Sequence, residues 1–332
     1  MGSCPEKSTH QHMKTTFKTQ ARVIVLLACI LLTACKKDDN DTVVRVGYLP
    51  MVSSLTHFVA LDQGFYADEG LEVDAKSTPT SNALAQGVVA GSIDAVIELA
   101  IVPLLHELES AAGKAMIFST SMITAENGFD GILVKAESPA NDLEGLAEKK
   151  VGVFPGTTAR NTLLALFSEH YPGLTPPTCI ELAPGVQLQS LASDEIDALF
   201  AYEPELTKGI VIHGLKQITT SLYAMQYSPS PIGVGAVNTE WAKANPGLAK
   251  RFYAAMDKAV LFTRQHPAEA REILASATSI NPEVAAQVNI MPMSLSTEVD
   301  LANLDGYIEI LFNMGEINSK PLAADLCIPQ AK

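Results

Sequence analysis

A layered α/β fold in two lobes is what this chain predicts, on three observations. Apolar strand-like runs alternate with helix-like segments from Val43 onward, the order of a sheet layered with helices. The alternation restarts at Val151. One small unit also occurs twice, as LAQGVVAGSIDAVIEL from Leu84 and as VQLQSLASDEIDALFAYE from Val186. Each copy reads as a few helical residues, a tight polar turn, then Ile-Asp-Ala entering an apolar strand. A length of 332 residues suits two such bodies, and 47% hydrophobic with 18% charged residues is a globular composition.

The N-terminus reads as an export signal. Lys14, Lys18 and Arg22 form a basic leader, with Met1 or Met13 as the start. VIVLLACILL follows at 23–32, too short to span a bilayer as a helix but suited to the core of a signal. The end LLTAC, then KKDDND, resembles a bacterial lipoprotein signal. That resemblance implies cleavage after residue 34, diacylglycerol on the sulfur of Cys35 and acyl chains such as palmitate. Each buried CH₂ adds about 0.8 kcal/mol, so several chains hold a soluble body at a membrane. Lys36 after the cysteine favours the outer of two membranes, again by resemblance. Residues 35–42 are then a charged tether.

Losing four cations and one acid with residues 1–34 takes the formal charge from −14 to about −17. So acidic a surface argues against nucleic acid. The mature chain keeps Arg45, Arg160, Arg251, Arg264 and Arg271, and Cys179 and Cys327 remain beside Cys35. One pair of cysteines is no disulfide framework, and free thiols are expected.

The first lobe opens with VVRVGYLP, a strand stopped by Pro50. SSLTHFVALDQGFYADEG is expected as one helix, capped by Ser53 or Ser54, with Phe58, Val59, Leu61 and Phe65 on its apolar face and Gly70 at its end. LEVDAK is a strand, SNALAQGVVAG a helix capped by Ser81, and IDAVIELA a strand covered on both faces. The second lobe repeats the order: VGVFPG strand and turn, ARNTLLALFSEHY helix, CIELAP strand, VQLQSLASDE helix, IDALFAYEP strand. Segments 128–142 and 227–238 mix extended apolar residues with Gly and Pro, as hinge crossings would. Helices then follow, Asn245 and Asn281 each preceding a Pro at a first helical position, with a last helix near 298–314 ending at Gly315. The first lobe is therefore expected over 43–135 and 225–332, around a second at 136–224.

GYLP, THFVALDQGFYADEGLEV, GVVAGSIDAV, VGVFPGTTARNTLLALF and DEIDALFAYEPEL, in this order and spacing, resemble the solute-binding proteins of bacterial ABC importers. The subgroup is the one taking up nitrate, sulfonates, taurine and thiamine pyrimidine precursors. The likeness covers about 44–325. It implies a two-lobe, type II periplasmic-binding-protein fold with a hinge of two crossing segments. It also implies a monomer in the cell envelope that hands a small solute to a permease and its ATPase, with no cofactor and no metal. Hinge closure around a ligand is the motion of that class.

Ligands of open parallel sheets sit at the carboxyl ends of the strands, where helix N-termini also point. Four places follow. Tyr48, Pro50 and His57 lie in the first, 48–57. Ser81 and Asn82 belong to the second, 80–82. Thr157 and Thr158, with Arg160 one turn on, form the third, and Gln187 ends the fourth, 184–187. Tyr48 and Tyr202 are suited to stack on a flat ligand. Glu98 and Glu203 finish the two matching strands, and with so few arginines they favour a nitrogen-bearing heterocycle or amine. The alternative is a sulfonate or other oxyanion held on helix N-termini with Arg160. An exported receptor or enzyme on the same fold is the rival from another class. The chain lacks CxxC, HExxH and GxSxG. GVGAVN at 233–238 lacks the last glycine of a dinucleotide fingerprint, and HELES at 106–110 lacks the second His of a zinc helix.

Overall fold

Ten β-strands and fourteen α-helices follow one another in the computed structural model, which describes residues 1–2 and 42–329. Cys35 and the body of the expected signal and tether lie outside the described residues. In chain order the elements are β1 (Val43–Tyr48), α1 (Leu55–Asp62), α2 (Phe65–Asp68), β2 (Glu72–Ser77), α3 (Ser81–Ala90), β3 (Ala95–Ala100), α4 (Ile101–Ser110), β4 (Ala115–Ile123) and β5 (Asp130–Val134). The second half of the alternation supplies β6 (Lys150–Val153), α5 (Thr157–His170), β7 (Thr178–Glu181), α6 (Gln187–Ala192), β8 (Ala198–Tyr202), α7 (Glu205–Val211), β9 (Lys216–Thr220) and α8 (Leu222–Gln226). The chain ends with β10 (Ser230–Asn238), α9 (Thr239–Ala244), α10 (Pro246–Gln265), α11 (Pro267–Ala277), α12 (Pro282–Ala285), α13 (Leu301–Asn313) and α14 (Ala323–Leu326).

The strands form two five-stranded sheets, ordered β2-β1-β3-β10-β4 and β7-β6-β8-β5-β9. They are the same design. In each, a central third strand runs parallel to the first and antiparallel to a strand from the crossing region. The central strands are buried on both faces, as the unbroken apolar runs require: Ala95 to Leu99 in β3 and Ala198 to Ala201 in β8.

The repeated Ile-Asp-Ala has a structural cause. The Asp94 carboxylate accepts the backbone N–H of Arg45 at 2.9 Å, and Asp94 donates its own N–H to the Arg45 carbonyl at 2.9 Å. In the second lobe Asp197 does both to Lys150, each at 2.8 Å. One aspartate per lobe thus pins the start of the third strand to the first, leaving that edge satisfied. The preceding turn also repeats, since Gly91 (φ 76°) and Asp194 (φ 63°) both take the left-handed conformation.

Several local expectations need amendment. The first long helix is two, because Gly64 at φ 73° ends α1 before α2 begins. Leu61 is 49% exposed, while Phe58 and Val59 are buried. Ser54 caps nothing; its hydroxyl accepts the Leu49 N–H at 3.2 Å and tightens the preceding loop. Thr80, not Ser81, caps α3, accepting from the Ala83 N–H at 3.2 Å. The crossings also differ. β5 already belongs to the second sheet, so the chain passes over within 124–129, ahead of the expected boundary at 136, and returns within 221–229. Segments read as hinge strands are thus sheet strands next to the centre, and β5 is buried throughout. Cys179, on β7, and Cys327, bridged to Ile117 of β4, are free thiols on different sheets.

Candidate functional site

The strand ends carry the loops expected to meet a solute, and the structure divides the expected residues sharply. In the first lobe, β1 ends at Tyr48, whose half-buried ring lies 4.7 Å from the His57 ring and edge-on to Phe58. Pro50 and Asn82 are exposed. Ser81 turns its hydroxyl to accept the Ala100 N–H at 3.1 Å, joining the start of α3 to the end of β3. His57 does not reach a cleft. It is fully buried, with Nδ1 2.9 Å from the Tyr66 hydroxyl and Nε2 without a hydrogen bond. Burial lowers its pKa to about 4, which keeps the ring neutral in the core.

A cavity of about 320 Å³ opens at this end of the first sheet. Its walls come from the start of α1, from α10 and α11, and from residues 290–293, with Glu98 of β3 and Asn127 of the first crossing also lining it. No residue of the second sheet takes part. Val52, Leu55, Val260, Ile290 and Met293 make most of the surface apolar, and Arg264 and Arg271 add two cations. Ser53 lines the cavity too, with its buried hydroxyl unbonded.

Glu98 is buried, and one oxygen accepts from the Ser121 hydroxyl at 2.9 Å. Burial raises its pKa to about 8, against the opposing pull of that hydrogen bond, so at neutral pH it is mostly an uncharged acid able to donate. The room beside it depends on Gly233, where a Cβ would stand 2.6 Å from Glu98 Oε1.

The arginines differ in their partners. Arg264 donates to the Met293 carbonyl at 2.6 Å and to Glu298 at 2.8 Å. Arg271 donates only to the carbonyls of Val288 (3.1 Å) and Pro267 (3.3 Å), with no carboxylate in salt-bridge range among the described residues. Arg271 was not among the expected site residues, because nothing local in AEAREIL separates it from a surface arginine.

In the second lobe, Phe154 stands edge-on to Tyr202, whose hydroxyl lies 2.7 Å from that of Tyr223, so Tyr202 is engaged in an aromatic cluster. Gln187 is buried and donates to the Leu182 carbonyl at 3.0 Å, holding its own loop. Arg160 faces Glu181 at 3.7 Å and so is matched by a carboxylate rather than left for an oxyanion. Glu203 is also a structural group. It is buried and accepts the Thr207 hydroxyl (2.8 Å), the Thr207 N–H (3.1 Å) and the Asn289 N–H (3.0 Å).

Thr157 and Thr158 open α5, and both hydroxyls donate to Glu316 Oε2, at 2.9 and 3.3 Å. Asn161, one turn on, donates to Glu316 Oε1. Asn161 was legible in principle from its spacing to Thr157 on one helix face; Glu316, in a loop after the last long helix, carried no local signal.

The two carboxylates that favoured a cationic ligand are thus a neutral acid and a saturated helix-start acceptor. The structure brings Glu98, the start of α1, Arg264 and Arg271 around one cavity. It sets Thr157, Thr158 and Asn161 apart, on the second lobe.

Comparison with known proteins adds a sequence relation and a fold relation. A model of the NMT1-like family matches residues 37–279. A putative aliphatic sulfonates-binding protein of Bacillus subtilis is 25% identical over 280 residues, 80% of this chain and 81% of that protein. The periplasmic aliphatic sulphonate binding protein SsuA of Escherichia coli superposes with a TM-score of 0.72 at 15% identity, covering 88% of this chain and 93% of its own. The nitrate-binding protein NrtA of Synechocystis gives a TM-score of 0.64 at 16% identity, covering 86% and 84%. The two-lobe periplasmic-binding-protein fold is therefore shared.

Proposed function

The chain belongs to the NMT1-like family, and on that premise we propose that it is the substrate-binding component of an ABC importer that captures a small aliphatic sulfonate. The observation that carries this reading is the cavity beside the first sheet. An apolar wall suits an alkyl chain, and Arg271, which donates to two carbonyls, has no carboxylate within salt-bridge distance among the described residues and feels buried Glu203 only through its field, suits a sulfonate oxygen. Glu98, held neutral by burial, adds a donor rather than a repelling charge. The likeness to the Bacillus subtilis protein supports the same ligand class. The solute is held without being transformed and is passed to a permease and its ATPase. The protein works in the cell envelope as a monomer, anchored through acylated Cys35.

Thermal unfolding with added solutes tests this. Binding stabilises by RT ln(1 + [L]/Kd), about 2.7 kcal/mol at a hundredfold excess over Kd. Hexanesulfonate and butanesulfonate should raise the unfolding temperature, and pyrimidines and alkylamines should not. Stabilisation by the amines or pyrimidines alone would overturn the reading.

A further inference from the structure

Glu316 stands between the lobes. The loop that carries it is fastened to the first lobe: His106 of α4 bonds the Glu316 carbonyl through Nε2 at 2.6 Å. Two residues on, Asn318 donates its backbone and side-chain N–H groups to Glu109, also of α4, at 2.6 and 3.0 Å. The side chain points the other way, into the second lobe, where both carboxylate oxygens are taken by Thr157, Thr158 and Asn161. Only 4% of Glu316 is exposed. The only other carboxylate joining the two lobes among the described residues is Glu203, whose partner Asn289 also donates to the Gly128 carbonyl in the first crossing at 2.7 Å. That contact belongs to the hinge itself. Glu316 instead joins α4, which follows the central strand of the first sheet, to the first turn of α5.

We infer that Glu316 is an intramolecular strap that sets the balance between parted and approached lobes. Its three partners are neutral donors within the first five residues of α5, and hydrogen bonds to an ionised acceptor are about twice as strong as neutral ones. The start of a helix adds a favourable field for that charge. To part the lobes, α5 must draw its hydroxyls off a buried carboxylate. The strap does not depend on which solute is carried, although its use in gating rests on the solute-binding reading above.

Small-angle scattering on the mature protein tests this without any ligand. Glu316→Ala should give a larger radius of gyration than the wild type, and the triple variant T157A/T158A/N161A should do the same from the other side. E316Q, which keeps an amide oxygen for Asn161, should fall between. Circular dichroism would show that each variant is folded. An unchanged radius for both E316A and the triple variant would overturn the strap. Titration with hexanesulfonate then separates the two ideas. A larger radius in E316A with no hexanesulfonate binding to any form leaves the strap standing and removes the sulfonate reading. Wild-type radius with intact binding does the reverse. With both true, association of hexanesulfonate should be about tenfold faster in E316A, the ratio that 1.4 kcal/mol confers.

Discussion

The Asp94 carboxylate holds Arg45 three times, at the backbone N–H (2.9 Å), at Nε (3.0 Å) and at Nη2, while sitting 97% buried between the first and third strands. The Asp197 carboxylate accepts only the backbone N–H of Lys150, and the residue is exposed. The same residue in the same place of a repeated unit should therefore matter unequally. Asp94→Ala leaves a buried strand N–H without its acceptor and takes the partner from a part-exposed guanidinium, and should cost roughly 2–3 kcal/mol. Asp197→Ala should cost about 1 kcal/mol, since water can replace the lost acceptor. Urea unfolding of both variants checks the ratio; equal losses would contradict the burial argument.

Glu98 predicts a stability slope with pH. Its folded pKa of about 8 lies above the ordinary 4.5. Between those values the unfolded chain releases a proton that the folded one keeps, so folding stability falls as pH rises. The loss is up to about 1.4 kcal/mol per pH unit, and it levels off above pH 8. Glu98→Gln removes this slope, and the variant should gain on the wild type steadily from pH 5 to pH 8. Denaturation midpoints of the two proteins across that range measure the difference.

His57 predicts the opposite limb. Its folded pKa near 4 lies below the ordinary 6.5, because burial disfavours the cation. Below pH 6.5 the unfolded chain takes up a proton that the folded one refuses. Stability therefore drops as pH falls toward 4, again by up to about 1.4 kcal/mol per unit. Replacement by Phe should flatten the acid limb while costing stability at pH 7 through the lost bond to Tyr66. A His57→Phe protein with the wild-type acid profile would contradict the assignment.

Arg271 and Arg160 separate the cavity proposed for the sulfonate from the place where the sequence alone pointed to an oxyanion. Loss of a charge-assisted bond costs about 1.5–3 kcal/mol. Arg271→Met should thus weaken hexanesulfonate binding roughly ten- to a hundredfold. Arg160→Met, which only frees Glu181, should leave affinity within about a factor of two. Calorimetric titration of both decides whether the sulfonate lies in the first-lobe cavity.

Glu203 should prove a stability residue. Three donors converge on it, two from Thr207 and one from Asn289. Truncation to Ala leaves one hydroxyl and two N–H groups without their acceptor and should cost about 2–4 kcal/mol, read as a lower unfolding temperature, with the order of preferred solutes unchanged.

What the amino-acid order alone determined was the local and the repeated. Apolar runs flanked by turns marked the central strands β3 and β8, because a strand buried on both faces tolerates little else. The doubled Ile-Asp-Ala marked the two lobes, because each sheet needs the same acceptor where its third strand meets its first. Asn281 and the prolines at 246 and 282 marked helix starts through geometry confined to a few residues. Only the tertiary structure decided the site. Glu98 lies inside β3 and Glu203 just beyond the end of β8, and nothing along the chain tells that one is a neutral cavity acid and the other a saturated structural acceptor. Nothing in their flanking residues tells Arg160 from Arg271, and among the described residues the packing brings a carboxylate within salt-bridge distance of Arg160 alone of the two. Glu316 reaches Asn161 across 155 positions. Such pairings follow from how distant segments pack, and the free energy of a charge is set by what surrounds it rather than by what precedes it.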